Sequence, residues 1–292
     1  MRAAAILGPG CSSKHLKPFQ AAHTETEWHT GMPSADDRVD VVLLFGGDGT
    51  IHRHLKQLVA LGLPVLVVPS GSGNDFARAL GLSRVRDSLA AWKNFCTTQS
   101  NVRAIDLGTI TPADEPSAQS IYFSCVAGVG IDGEISRRAN NLPRWLRGHG
   151  GYTLSLAATI FRFAPFPVKI LTPAATAGSP WVVRSDQPTI LAAFANTPTA
   201  GGGMRIAPKA KMDDGLLDIC IVAGMDPFKL FCMFPTVYSG SHLKVSGVEY
   251  FQDTRLCVET ESPFDVYADG EYVCRTPVEI GVHAQALKVV TP

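Results

Sequence analysis

Twice in the first eighty residues, an unbroken apolar run ends in glycines and passes into a segment with helical spacing. No other feature constrains the fold of this chain as strongly. Val39–Phe45 (VDVVLLF) leads into Gly46-Gly47-Asp48-Gly49-Thr50, after which Ile51, Leu55, Leu58 and Val59 mark one face of a helix over Ile51–Leu61. Leu63–Val68 (LPVLVV) leads into Pro69-Ser70-Gly71-Ser72-Gly73-Asn74, and a second helix is expected over Asp75–Leu80, ended by Gly81. A strand apolar at every position needs cover on both faces. Repeated strand, glycine turn and helix therefore imply a parallel α/β sheet, joined by a short strand at Ala3–Leu7. Such sheets bind ligands at the carboxyl ends of their strands, where both glycine turns fall.

Beyond about Asp106 the pattern changes. Short runs at Ile121–Val126, Val168–Thr172, Thr189–Asn196, Leu217–Val222, Arg255–Glu259 and Val278–Val282 are separated by turns such as Pro112–Pro116 and Gly178-Ser179-Pro180. This implies a mostly antiparallel second domain. Two helical insertions are expected in it, at Gly151–Phe163 and Pro227–Tyr238. The fold class is α/β plus β: an α/β domain over residues 1–106, then a β-sandwich over 107–292 whose C-terminal tail can pack back on the first.

With 292 residues, 46% hydrophobic and 18% charged, the chain can bury a core without staples. Its 26 basic and 26 acidic residues balance, which argues against a nucleic-acid partner. Peripheral membrane contact needs only a local patch and stays open. The seven cysteines are widely spaced and never form Cys-x-x-Cys, so neither a disulfide framework nor a zinc site is expected. Met1–Leu7 is too short for a signal peptide, and no apolar run reaches spanning length. The expected location is cytoplasmic, extending to the inner face of the membrane.

Four motifs carry chemistry. In Gly46–Thr50 the glycines allow close backbone approach, and amides at the helix start can hold phosphate oxygens. Asp48 can position Mg²⁺ or a hydroxyl, or serve as a helix cap. No Gly-Lys-Ser/Thr follows, so this is not a Walker A loop. In Pro69–Leu80, Ser72 and Asn74 offer hydrogen-bonding groups, Asp75 a second carboxylate and Arg78 a cation for an anion; capping and solvated roles also fit. In Ala207–Asp218, Asp213 and Asp214 precede a glycine turn that suits either a hard cation or a plain Asp-Gly turn. In Ala268-Asp269-Gly270-Glu271, paired carboxylates can supply a general base, or Asp-Gly can make a hairpin turn. His52, His54, His149 and His242 lack metal-ligand spacing and are read as structural.

Taken in order, these motifs resemble the diacylglycerol kinase catalytic-domain family, which includes bacterial lipid kinases and the sphingosine and ceramide kinases. The matching text is GGDGT at Gly46–Thr50, PSGSGNDFARALG at Pro69–Gly81, NTPTAGGGMRIAPKAKMDDGLLDICIV at Asn196–Val222, and DGE at Asp269–Glu271. The resemblance implies an N-terminal domain like that of NAD kinases and phosphofructokinases, and a β-sandwich bearing the lipid site. It implies ATP and Mg²⁺ as cofactors. Gly46, Gly47, Asp48, Gly49, Thr50, Ser72, Asn74 and Arg78 would bind the nucleotide, and Asp48 and Asp75 would arrange Mg²⁺. Glu271, accompanied by Asp269, would take the proton of the lipid hydroxyl. Asp214, with the backbones of Lys211 and Leu216, would form a structural metal site. The chain departs from the family pattern at Gly71-Ser72-Gly73, where Gly-Thr is usual, and at the abbreviated Gly8-Pro9-Gly10-Cys11-Ser12 loop. The stretch from there to Val39 looks short for the usual helix and strand, and Thr24 or Thr26 is the candidate nucleotide-contacting threonine.

The expected activity is transfer of the γ-phosphoryl group of ATP to a lipid hydroxyl, diacylglycerol first among candidates, with the lipid presented at a membrane surface. Tyr152, Leu154, Leu156, Phe161, Phe163, Phe228, Leu230 and Phe234 in the helical insertions shape an acyl pocket, enter the membrane interface, or form ordinary core. A soluble-substrate kinase such as an NAD kinase, and an inactive regulator, are the alternatives. A homodimer is compatible with either.

Overall fold

The computed structural model describes residues 1–115, 119–141, 159–174 and 181–292. The described elements begin β1 (Arg2–Leu7), α1 (Ser13–Ala22), β2 (Glu27–Thr30), β3 (Val41–Gly46), α2 (Asp48–Leu61), β4 (Val65–Pro69), α3 (Asp75–Ala79), α4 (Val85–Thr98) and β5 (Val102–Pro112). They continue with β6 (Ile121–Phe123), β7 (Val126–Gly130), α5 (Ile131–Asn141), β8 (Phe166–Pro173), β9 (Trp181–Ala195) and β10 (Leu217–Ala223). Last come α6 (Pro227–Met233), β11 (Val248–Asp253), β12 (Arg255–Thr260), β13 (Asp265–Ala268), β14 (Glu271–Arg275) and β15 (Val278–Val290).

One compact unit comprises Met1–Leu107, Met212–Asp214 and His283–Pro292. Its strands run in the order β2, β1, β3, β4, all parallel, with registers such as Ala4↔His29, Ala5↔Leu43 and Leu44↔Val67. The end of β15 lies parallel to β4 at Val289↔Val65. Every residue of β3 and β4 is buried, as their unbroken apolar runs require. The chain leaves β1 for β2 on one side and returns to β3 on the other, so β1 and β3 flank a topological switch point. Helices pack by aromatic contact: Phe19 meets Phe45 edge-on at 5.2 Å, and the indole N–H of buried Trp92 donates to the Phe19 carbonyl at 3.0 Å. Ser88 on α4 donates to the Val67 carbonyl at 2.8 Å, tying that helix to β4.

The second unit is Gly108–Lys211 with Gly215–Val282. Its pairings are antiparallel: β9 takes β7, β8 and β10 as partners, β12 lies between β8 and β15, and β13 bridges β7 and β14. Phe123, Phe194, Ile219, Val258, Val266 and Ile280 sit fully buried in its core. Gly108 faces Phe123 across β5 and β6, and the phenyl ring occupies the space a Cβ would need.

Several elements differ from their expected form. Helix α2 begins at Asp48, not Ile51, because the Gly47 carbonyl accepts from the Thr50 and Ile51 amides at 2.9 and 3.1 Å. Asp48, Gly49 and Thr50 thus form its first turn. The stretch before Val39, expected to be short for a helix and a strand, holds both α1 and β2. Helix α4 and strand β5 carry weaker patterns and were not anticipated. Strand β9 extends far before Thr189, and β15 continues past Val282 into the first unit. The insertion expected at Gly151–Phe163 lies outside the described residues as far as residue 158, with Tyr152, Leu154 and Leu156; His149 and the Gly178-Ser179-Pro180 turn also lie outside them. The second insertion is α6, followed by a 3₁₀ turn at Phe234–Tyr238.

Candidate active site

The first unit gathers three turns at the carboxyl ends of β1, β3 and β4. Gly8, after β1, donates its amide to the Phe45 carbonyl at 2.7 Å, and a Cβ there would stand 2.9 Å from the Thr50 hydroxyl. Gly46 admits the buried Thr50 side chain, whose Cβ would lie 2.6 Å from an added methyl. The closest approach joins the two glycine loops. A Cβ on Gly71 would fall 2.5 Å from the Gly47 Cα, and one on Gly47 would fall 2.8 Å from the Gly71 Cα. Both positions must lack a side chain if two backbones are to touch.

Asp48 fastens the same junction. Its two carboxylate oxygens accept from the Asp75 and Phe76 amides, each at 3.1 Å, so the first loop caps the helix that starts in the second. Ser70 donates its amide to the Gly46 carbonyl at 3.0 Å. Asn74 adopts a left-handed conformation, φ 55°, and closes its own loop by accepting from the Gly71 amide and donating to the Gly71 carbonyl. Asp75 is buried and ion-paired with Arg78 at 2.6 Å, and Arg78 also donates to the Gly73 carbonyl at 3.0 Å. The guanidinium braces the loop with two of its nitrogens and, being half exposed, has N–H donors left for an anion. Ser72 stands exposed at the loop tip. Thr26 is buried with its hydroxyl 2.8 Å from His23, whereas Thr24 is exposed.

For a metal ion, the donors around this junction are one accessible carboxylate, Asp48, and one buried and already paired, Asp75. That set fits a cation carried in on nucleotide phosphates, and does not fit a resident all-protein cage. Among the described residues no three His, Cys, Asp or Glu side chains cluster to hold an ion. At the expected structural metal site, Met212–Asp214 belong to the first unit, whereas Lys211 and Leu216 belong to the second. Asp213 pairs with Arg103 at 2.5 Å, and the Met212 carbonyl accepts from the Asp106 amide at 2.7 Å.

In the second unit, Asp269 and Gly270 both have positive φ, 51° and 84°, the geometry of a tight turn joining β13 to β14. The Asp269 carboxylate is turned to structure. It accepts from the amides of Ser124, Cys125 and Val126 and from the Ser124 hydroxyl, at 2.8 to 3.3 Å. Glu271, directly after the turn, is half buried and has no ion-pair partner among the described residues, so its carboxylate stands apart from this anchoring set. Burial pushes the His242 imidazole below its ordinary value, against a smaller opposing effect of the Ile206 carbonyl 3.2 Å from its Nε2, and the ring has a core role.

One group escaped the sequence reading. Asp132, in the first turn of α5, has its Oδ1 sealed from solvent without a hydrogen-bond partner among the described residues. Burial pushes its carboxyl up to about 7, against a smaller opposing effect of the Gly133 amide. Such an acid can hold a proton near neutral pH and donate it to an oxygen. The signal was available, since Val126–Glu134 (VAGVGIDGE) again runs from apolar strand through glycines to carboxylates. Beside it, a cavity of about 410 Å³ is lined by Glu134, Arg137, Arg162, Phe163, Phe264 and Tyr267, among others.

A family model of the diacylglycerol kinase catalytic domain matches residues 12–110, and one of the YegS C-terminal NAD kinase beta sandwich-like domain matches residues 125–291. A diacylglycerol kinase of Mycobacterium tuberculosis is 33% identical over 253 residues, covering 87% of this chain and 77% of its own. The chain belongs to the diacylglycerol kinase and YegS-like lipid kinase family. Membership implies use of ATP. A provisionally assigned diacylglycerol kinase from Bacillus anthracis superposes with TM-score 0.74 at 22% identity, covering 100% of this chain and 97% of that one. An NAD kinase from Archaeoglobus fulgidus, solved with ATP, shares the fold at TM-score 0.54 and 16% identity, covering 100% and 94%. Among the described residues of this lipid kinase relative, no helix is long and apolar enough to cross a membrane.

Proposed function

We propose that this protein transfers the γ-phosphoryl group of ATP to a lipid hydroxyl, with diacylglycerol as the first candidate acceptor and phosphatidic acid as the product. The observation that carries this reading is the junction of the two glycine loops, where Gly47 and Gly71 touch and Asp48 caps the second loop's helix. Side-chain-free backbone at the N-terminus of α2 suits phosphate oxygens, because amides there lack intrahelical acceptors, whereas the Asp75 and Phe76 amides at the start of α3 already donate to Asp48. Arg78 adds positive charge at the rim. Asp75 acts by fixing Arg78 and does not itself face the phosphates. Mg²⁺, arriving with the nucleotide and held on the protein side by Asp48, would neutralise phosphate charge.

Glu271 is the proposed proton acceptor, since Asp269 in the same motif is spent on backbone amides. As the lipid oxygen bonds to the γ-phosphorus, the bond from that phosphorus to the bridging oxygen breaks and ADP departs. The hydroxyl proton passes to the Glu271 carboxylate. Phe163, Phe264 and Tyr267 around the cavity offer apolar surface for an acyl chain. The test is labelled-phosphate transfer from ATP to a panel of lipid micelles and to NAD, with wild type and Asp48→Ala. Transfer to diacylglycerol, reduced at least a hundredfold in the variant, is expected. Transfer to NAD alone would overturn the lipid reading, and full activity in the variant would remove Asp48 from the mechanism.

A further inference from the structure

Helix α6 does not bury all of its apolar residues. Leu230 and Met233 pack into the second unit's core, while Phe228 and Phe231 are 67% and 44% exposed. Phe161, 55% exposed, lies against Phe231 with ring centroids 5.8 Å apart. Exposed Pro165 rests against Gly224, just before the helix, where an added Cβ would be 3.1 Å from the proline Cβ. Residues 159–167 and 224–233, distant in sequence, therefore form one aromatic surface.

Within these two segments the charges not used in a helix cap are cationic, while Glu134 and Asp265 line the adjoining cavity. Arg162 and Lys229 are exposed, and Arg162 has no ion-pair partner among the described residues. The sole carboxylate within the two segments, Asp226, is turned back to cap α6 by accepting from the Phe228 and Lys229 amides at 2.9 and 3.2 Å. The surface is also continuous with the cavity, because Arg162 and Phe163, next in sequence to Phe161, line it. Contiguous exposed apolar groups with a cationic rim mark a docking surface.

We propose that this surface seats the protein on an anionic lipid bilayer. The rings of Phe161, Phe228 and Phe231 enter the boundary between headgroups and acyl chains, and Arg162 and Lys229 face lipid phosphates. A bilayer fits better than a protein partner, since exposed cations flank the rings, Lys229 with one donor on the Ser246 carbonyl at 3.0 Å and others left over, and an aromatic-lined cavity opens beside them. The purpose of this docking rests on the lipid-kinase reading, but the binding itself does not.

The test is co-sedimentation of the full chain with phosphatidylcholine vesicles, with and without phosphatidylglycerol. The variants are Phe228→Ser/Phe231→Ser and Arg162→Ser/Lys229→Ser, each checked for an unchanged melting curve. Wild type should favour the anionic vesicles. Loss of two phenyl groups should weaken partitioning roughly a hundredfold, about tenfold for each ring withdrawn from the interface. The basic pair should weaken binding to anionic vesicles roughly thirtyfold and leave neutral ones unaffected. Phosphoryl transfer to a short-chain, monomerically dispersed acceptor should be unchanged in the phenylalanine variant. Wild type that ignores vesicles, or variants that bind like wild type, would overturn the proposal. So would a phenylalanine variant that turns a dimer into a monomer without changing vesicle binding, which would make the surface an interface between copies. Patch-dependent vesicle binding without lipid phosphorylation would uphold the surface and sink the lipid-kinase reading.

Discussion

Replacing Gly71 by alanine isolates the backbone contact on which the proposed phosphate junction depends. The new methyl would stand 2.5 Å from the Gly47 Cα, 3.0 Å from Asn74 Oδ1 and 3.1 Å from the Gly47 amide nitrogen. Two of these neighbours are backbone atoms of the opposing loop, so the clash cannot be relieved by a rotamer change. Overpacking of this kind costs about 3 kcal/mol, at the upper end of its usual range, because backbone has to move. The informative control is Gly62→Ala at the end of α2, where φ is +63° and no atom lies within 4 Å. There only left-handed strain is added, about 1 kcal/mol. In a unit of this size 1 kcal/mol corresponds to about 4 °C, so the first unit's melting point should fall about 12 °C for Gly71→Ala and about 4 °C for the control. Differential scanning fluorimetry with and without ATP reads both effects. ATP should raise the melting point of wild type and of Gly62→Ala. Its dissociation constant for Gly71→Ala should be at least tenfold weaker, because the two loops no longer hold their spacing. A melting loss for Gly71→Ala no greater than for Gly62→Ala would refute the close backbone contact. Equal ATP protection in all three proteins would refute its role in nucleotide binding.

Asp269→Ala should destabilise the second unit by about 3 kcal/mol in urea unfolding, because three amides and a hydroxyl lose their acceptor. Asp269→Asn should cost about half as much, since asparagine tolerates the left-handed turn and keeps one accepting oxygen; equal losses would contradict this account. Asp132 gives a pH signature. Its folded carboxyl sits at about 7 against 3.8 unperturbed, so between those values the folded state holds a proton that the unfolded state has released. Stability contributed by this group is therefore full below about pH 4, declines as pH rises to about 7, and is lost above it, a total of about 4 kcal/mol. Asp132→Asn should be more stable than wild type at pH 8 and should flatten that decline; an unchanged pH profile would show that the carboxyl is not desolvated.

How much was legible in the chain depended on the range of the interaction. Val41–Gly46 and Val65–Pro69 were readable as buried strands because continuous apolar content is a local property. The glycine turns after them were readable because only glycine permits such backbone approaches. The start of α2 was misjudged by three residues, since apolar periodicity begins at Ile51 while the first helical bonds are accepted by Gly47, a position with no side chain to show. Helix α4 was missed because its buried residues, Ser88, Ala91, Trp92 and Phe95, include a polar and a small one. The serine earns its burial only by reaching the Val67 carbonyl on a strand 21 residues earlier.

The site divides in the same way. By itself the sequence determined where the glycine turns follow buried strands, which carboxylates accompany them, and the family to which their order belongs. Only the tertiary structure decided what each carboxylate does. Asp48 and Asp269 sit in similar Asp-Gly text, yet one caps a helix 27 residues away and the other gathers amides about 145 residues away. Asp75 is taken by Arg78, and Asp132, unremarked in the text, is the group whose proton is perturbed. The physical reason is that a carboxylate's role follows from its burial and its hydrogen-bond donors. Those donors come from backbone brought close by folding, and backbone amides look alike at every position of a sequence.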